Sequence, residues 1–141
     1  MECAKVLIVE DHPIFSKGLA ALISSQQAFE VCGEAADRAG AFAAFEAHRP
    51  DLVIVDLNLG GEDGLEVVKD IHARNKDTAI LVLSMHDEKY YAERALKAGA
   101  RGYIMKEESS SKVLEAAQAV LSGKIWLSEE EQRRMEETKD D

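Results

Sequence analysis

Two cysteines in 141 residues, Cys3 and Cys32, cannot build a disulfide framework, and a reducing compartment is the simpler setting. Two prolines, Pro13 and Pro50, and nine glycines leave no room for a collagen-like or proline-rich segment. No apolar run approaches the roughly 20 residues that span a bilayer. Residues 1–9 contain no basic segment feeding a long apolar one, so no secretory leader is expected. Basic residues are outnumbered 17 to 27, for a net charge of -10. A surface that acidic repels phosphate backbones and anionic membranes, so direct nucleic-acid or membrane binding is not expected. Residues 128–141 hold seven acids and three bases, yet the rest of the chain is acidic in its own right.

What is present is a soluble globular composition, 46% hydrophobic and 31% charged, in a length that fits one domain. Five short apolar runs recur every 20 to 25 residues: Val6–Val9, Phe29–Cys32, Leu52–Val55, Ile80–Leu83 and Gly102–Met105. The first, third and fourth are continuously apolar, as strands buried on both faces are. The second alternates, as a strand nearer an edge does. Between them the period becomes helical. Phe15, Leu19, Leu22 and Ile23 mark one helix, with Pro13 at its start. Phe42 and Phe45 mark a second, and Leu65, Val68 and Ile71 a third. Ala92, Ala95 and Leu96 mark a fourth, with Asp87 as its N-cap and Gly99 as its stop. Val113, Leu114, Ala117, Val120 and Leu121 mark a fifth, closed by Gly123. Strict alternation of strand and helix predicts an α/β, flavodoxin-like doubly wound fold: a five-stranded parallel sheet in the order 2-1-3-4-5 with five helices. After Gly123 the pattern stops. Ser128-Glu129-Glu130-Glu131 is a capping box, so a short helix is expected through Met135, with little to pack against.

Ligands of such a sheet bind beyond the carboxyl ends of the strands. Strand 1 ends in Glu10 and Asp11, strand 3 in Asp56, strand 4 in Ser84 and strand 5 in Lys106. Taken singly, each has an ordinary role: an acid pair at a helix start, a loop aspartate, a serine cap, a solvated lysine. Taken together at neighbouring strand ends they form one pocket. Three carboxylates there repel one another, and a hard divalent cation such as Mg²⁺ relieves the repulsion. Acids, cation, lysine and hydroxyl then suit a phosphoryl group. The four histidines share no metal-ligand spacing and are taken as surface residues. The two cysteines are taken as packed thiols on neighbouring strands.

These runs resemble a bacterial two-component response regulator receiver domain, and most resemble the NarL/FixJ (LuxR-type) class of transcription factors. The matching stretches are Val6–Pro13, Pro50–Asn58, Asp63–Glu66, Leu81–Ser84 and Ala98–Lys106, spread over about residues 4–127. The resemblance implies that Asp56 is the phosphoacceptor. It implies that Glu10, Asp11, Asp56 and the backbone carbonyl of Asn58 hold Mg²⁺, with Mn²⁺ as a substitute. Ser84 and Lys106 would contact the phosphoryl group and Tyr103 would be the switch. A sensor histidine kinase would be the donor, the activated protein would form a homodimer, and the setting would be cytoplasmic. Residues 1–127 would be the receiver domain. Residues 128–141 would be an acidic tail beginning a linker to a helix-turn-helix domain absent here, through which DNA would be bound. The domain would be no enzyme beyond its own phosphotransfer and aspartyl-phosphate hydrolysis. The sequence departs from the family pattern at Gly60-Gly61, where a proline is common, and a loop mobile without Mg²⁺ is expected there.

Two rival readings differ in class. An aspartate-nucleophile phosphatase wants a second acid two residues after the nucleophile, where this chain has Asn58. A degenerate receiver would act only as a phosphorylation-independent protein-binding or dimerisation module, against which the full acid and lysine set argues.

Overall fold

The computed structural model describes residues 3–85 and 88–139. Five parallel strands, β1 (Ala4–Val9), β2 (Phe29–Ala35), β3 (Leu52–Asp56), β4 (Ala79–Ser84) and β5 (Gly102–Met105), form one sheet in the order β2-β1-β3-β4-β5. The predicted doubly wound topology is the observed one. Because neighbouring residues of a strand face opposite sides, the continuous apolar runs feed two cores. Leu7, Val9, Val53, Val55, Ile80 and Val82 face one core. It is completed by α2 (Arg38–His48), α3 (Gly64–Arg74) and α4 (Glu88–Ala98). Val6, Ile8, Leu52, Ile54, Leu81 and Leu83 face the other, under α1 (Pro13–Ser24) and α5 (Ser109–Leu121). All twelve of these strand side chains are essentially inaccessible.

Several details differ from the sequence reading. A bulge shifts the β1–β2 register between Val6 and Leu7, so Cys32 is the extra residue on β2 and is half-buried. Cys3 is exposed, with its thiol on the Gln27 carbonyl at 3.0 Å, so only one of the two thiols is packed. The tail does find a surface. Trp126 bridges Gly102 in parallel register at the outer edge of β5, accepting from the Tyr103 N–H and donating to the Arg101 carbonyl. Leu127 is buried, and α6 (Glu129–Lys139) follows, with Met135 packed on the same core as Tyr103. Ser128 caps the helix through the Glu131 N–H at 3.1 Å, as the capping box predicted. The proposed Asp87 cap lies outside the described residues, as does His86. No described helix is long and apolar enough to cross a membrane.

Candidate functional site

The strand register places the predicted residues at one end of the sheet. Glu10 follows directly on β1, and its N–H still pairs with the Ala35 carbonyl of β2. Asp56 is the last residue of β3 and Ser84 the last of β4, while Lys106 opens the short 3₁₀ turn after β5. Glu10, Asp56 and Ser84 are each buried.

Lys106 ties the acids together. Its Nζ donates to Glu10 Oε1 at 2.9 Å and to Asp56 Oδ2 at 3.0 Å, and it lies 4.4 Å from the centre of the Phe15 ring. The other Asp56 oxygen accepts the Asn58 N–H at 3.1 Å. Burial, then the neighbouring Glu10 carboxyl, push the Asp56 carboxyl above the usual aspartate range, although Asn58 and Lys106 pull the other way. Burial alone would lower the Lys106 pKa, but its hydrogen bonds to Glu10 and Asp56 outweigh that and leave it raised.

Among the described residues, Glu10 Oε2 and Asp11 Oδ1 find no hydrogen-bond donor and are inaccessible to solvent, although His12 Nδ1 lies 3.2 Å from the latter. Buried carboxylate oxygens left in this way cost free energy unless a cation meets them. The carboxylates offer hard oxygen donors, and one ligand atom from each of Glu10, Asp11, His12 and Asp56 falls within 4.8 Å of the others. These residues fit a divalent ion held by carboxylates.

Two contributors were not singled out from the sequence. His12 is exposed, as surface histidines are, yet its Nδ1 sits 2.9 Å from Glu10 Oε1 and 3.2 Å from Asp11 Oδ1. Its place beside the acid pair was the only signal. The second is Gly60. Asn58–Leu59 and Glu62–Asp63 pair as a small antiparallel hairpin, joined by Gly60 at φ 55° and Gly61 at φ 101°. Positive φ at both centres is the type I′ pattern. The two glycines supply the backbone geometry of that turn. Proline, locked near -65°, cannot take the Gly60 position. A Cβ on Gly60 would lie 2.8 Å from Asp11 Oδ2, so the turn runs directly against the acid pair. The hairpin is anchored by Glu62, which accepts the first amide of α2, from Arg38, at 3.0 Å. Gly64, which opens α3, packs so closely that a Cβ would collide with the Asp56 carbonyl.

Tyr103 is 1% exposed and lies inside the core that Leu127 and Met135 join. The tail thus packs on the core that holds this outer-strand aromatic.

Fold and pocket define a class: doubly wound domains with an acid pair, an aspartate and a lysine gathered at the sheet's switch point. The chain belongs to the response regulator receiver domain family, whose model matches residues 6–118. It is 32% identical over 123 residues to the transcriptional regulatory protein DegU of Brevibacillus brevis, covering 87% of this chain and 52% of that protein. It is 35% identical over 124 residues to the oxygen regulatory protein NreC of Staphylococcus epidermidis, covering 87% and 57%. Among solved structures, a LuxR-family two-component response regulator from Aurantimonas sp. SI85-9A1 is 31% identical, with a TM-score of 0.89 over 99% of this chain and all of that one. The receiver domain of NarL from Mycobacterium tuberculosis is likewise 31% identical, with a TM-score of 0.81 over 88% of this chain and all of that one. The chain spans little more than half the length of the curated relatives it matches. It is thus a receiver domain, similar to those of NarL-type regulators.

Proposed function

We propose that this domain accepts a phosphoryl group on Asp56 from the phosphohistidine of a sensor histidine kinase. The observation that carries this reading is Asp56 itself: buried, held by one amide and one ammonium, beside Glu10, whose Oε2 accepts no hydrogen bond from the described residues. Asp56 attacks phosphorus in line. A phosphorus–oxygen bond forms as the phosphorus–nitrogen bond breaks, and a proton goes to the departing imidazole. Lys106, with a third N–H beyond the two it gives Glu10 and Asp56, balances charge on the phosphoryl oxygens. Glu10, Asp11, Asp56 and the Asn58 carbonyl would hold Mg²⁺, or Mn²⁺ in its place. Bound there, the ion supplies further neutralisation of the transferring group. Ser84, at the end of the adjacent strand, offers its hydroxyl to a remaining phosphoryl oxygen. Water later hydrolyses the acyl phosphate and restores Asp56.

Phosphorylation adds about -1.5 to -2 charges to an acidic pocket, and recruitment of Ser84 biases the segment between β4 and α4. Tyr103 and the face formed by α4, β5 and α5 carry that bias to a homodimer. Residues 128–141 lead toward a helix-turn-helix domain that binds DNA, a reading supported by the greater length of the relatives. The setting is the cytoplasm. The test is beryllofluoride, a phosphoryl mimic, followed by fluorine NMR. Wild type with Mg²⁺ gives a bound signal that Asp56→Asn abolishes. A bound signal in Asp56→Asn would refute the assignment.

A further inference from the structure

His12 contributes a nitrogen to a cluster otherwise built from oxygen. It occupies the N-cap position of α1 and makes no capping bond, so its side chain has no part in starting that helix. Pro13, at the first helical position, fixes the chain direction just beyond it. The His12 backbone N–H donates to Glu10 Oε1 at 3.1 Å. Most of the ring is solvent-exposed, yet Nδ1 faces Glu10 Oε1 at 2.9 Å and Asp11 Oδ1 at 3.2 Å.

Those separations carry the argument. An octahedral ion with bonds of 2.0–2.1 Å sets adjacent ligand atoms about 3 Å apart and opposite ones about 4.2 Å apart. The two Nδ1 distances are close to the spacing of adjacent ligands, and the four donor atoms, within 4.8 Å of one another, need only small side-chain shifts to meet one ion. A second observation points to a ligand. The Glu10 side chain is 1% exposed, and its Oε2 has no hydrogen-bond partner. In the metal-free pocket the 2.9 Å contact is an Nδ1–H hydrogen bond to Glu10 Oε1, and an ion arriving there takes the Nδ1 lone pair once the proton has moved to Nε2 or left the ring.

We propose that His12 is a ligand of the metal pocket and gives it a preference for borderline first-row transition ions such as Co²⁺ or Ni²⁺ over Mg²⁺. Imidazole binds those ions well and adds little to the binding of Mg²⁺, which prefers carboxylate, carbonyl and water. The pocket then discriminates by donor type: Glu10, Asp11 and Asp56 serve any divalent ion, and His12 serves only the softer ones. This inference rests on the reading of the pocket as a divalent-ion site.

The test uses the full chain, with Mg²⁺ or Co²⁺ added alone, in wild type and His12→Ala. Binding is followed by the shift in unfolding temperature and, for Co²⁺, by visible absorption. Wild type binds Co²⁺ at least about tenfold more tightly than His12→Ala, the scale on which loss of a group around a metal is felt. The two proteins bind Mg²⁺ alike. Mg²⁺ displaces Co²⁺ from both, which confines the signal to this pocket rather than to other histidines. In the wild-type Mn²⁺ complex, electron–nuclear double resonance detects a coupled nitrogen that His12→Ala loses. Equal Co²⁺ affinity in the two proteins, or no coupled nitrogen in wild type, overturns the proposal. If Mg²⁺ still binds in that case, the ion site stands and only the role of His12 falls. If neither ion binds, both fall.

Discussion

Asp56 and Lys106 set the character of the pocket between them. The Asp56 pKa is raised, so between its unfolded and folded values the folded chain holds a proton that the unfolded chain has released. Stability is therefore lost as pH rises through that window, and above it the ionised group bears the full penalty. Asp56→Asn removes the penalty. Without metal, the variant melts above wild type at neutral pH, and the gap closes as pH falls toward the ordinary aspartate value of 3.8. A gap that widens on acidification, followed by circular dichroism, would contradict this. Lys106→Met has the opposite effect. It strips the ammonium from two buried carboxylates, at a cost of about 3 kcal/mol for a broken buried pair. Denaturant unfolding should register that loss without metal, and millimolar Mg²⁺ should restore part of it. Both carboxylates were legible in the sequence as strand-end residues. Their linkage through one lysine was not, because it depends on how far each strand end reaches.

The hairpin of residues 58–63 gives the two adjacent glycines a geometric role. Two adjacent glycines read as freedom; in the fold they satisfy a two-residue turn with positive φ at both centres. Gly60→Ala and Gly61→Ala each force an L-residue into that region, at about 1–2 kcal/mol. Only at Gly60 would the added methyl press on Asp11, since nothing lies within 4 Å at Gly61. Both variants thus lose similar stability, but only Gly60→Ala weakens Mg²⁺ binding. Calorimetric titration distinguishes them, and equal Mg²⁺ affinity in the two would contradict the account. Strand and helix positions were legible because their periodicity survives folding. The β2 bulge was not, because a one-residue slip leaves no trace in the apolar pattern. Nor was the docking of residues 124–139. The apolar residues responsible, Trp126, Leu127 and Met135, are too few to show a period, and their partner is the free edge of β5. Leu127→Ala should cost about 2–5 kcal/mol, the range for a buried leucine truncated to alanine, where a free tail would lose nothing.

Across the whole molecule, the pocket and the tail meet through β5. Lys106 follows its carboxyl end, Tyr103 sits at its middle, and Trp126 pairs along its edge. A groove of about 380 Å³ lined by Tyr103, Trp126, Leu127 and residues of α5 and α6 runs beside it. Trp126 is the single tryptophan, so its fluorescence reports on tail docking directly. Beryllofluoride with Mg²⁺ should shift that emission in wild type and leave it unmoved in Ser84→Ala, which still binds the mimic but lacks the hydroxyl that relays it. A shift of equal size in Ser84→Ala would place the relay elsewhere. The central claim is phosphoryl acceptance at Asp56, and the most direct measurement is peptide mass mapping after incubation with acetyl phosphate and Mg²⁺. One phosphoryl group on the peptide containing Asp56, lost in Asp56→Asn and on removal of Mg²⁺, is the predicted result. An unmodified chain, or the same modification in Asp56→Asn, would contradict it.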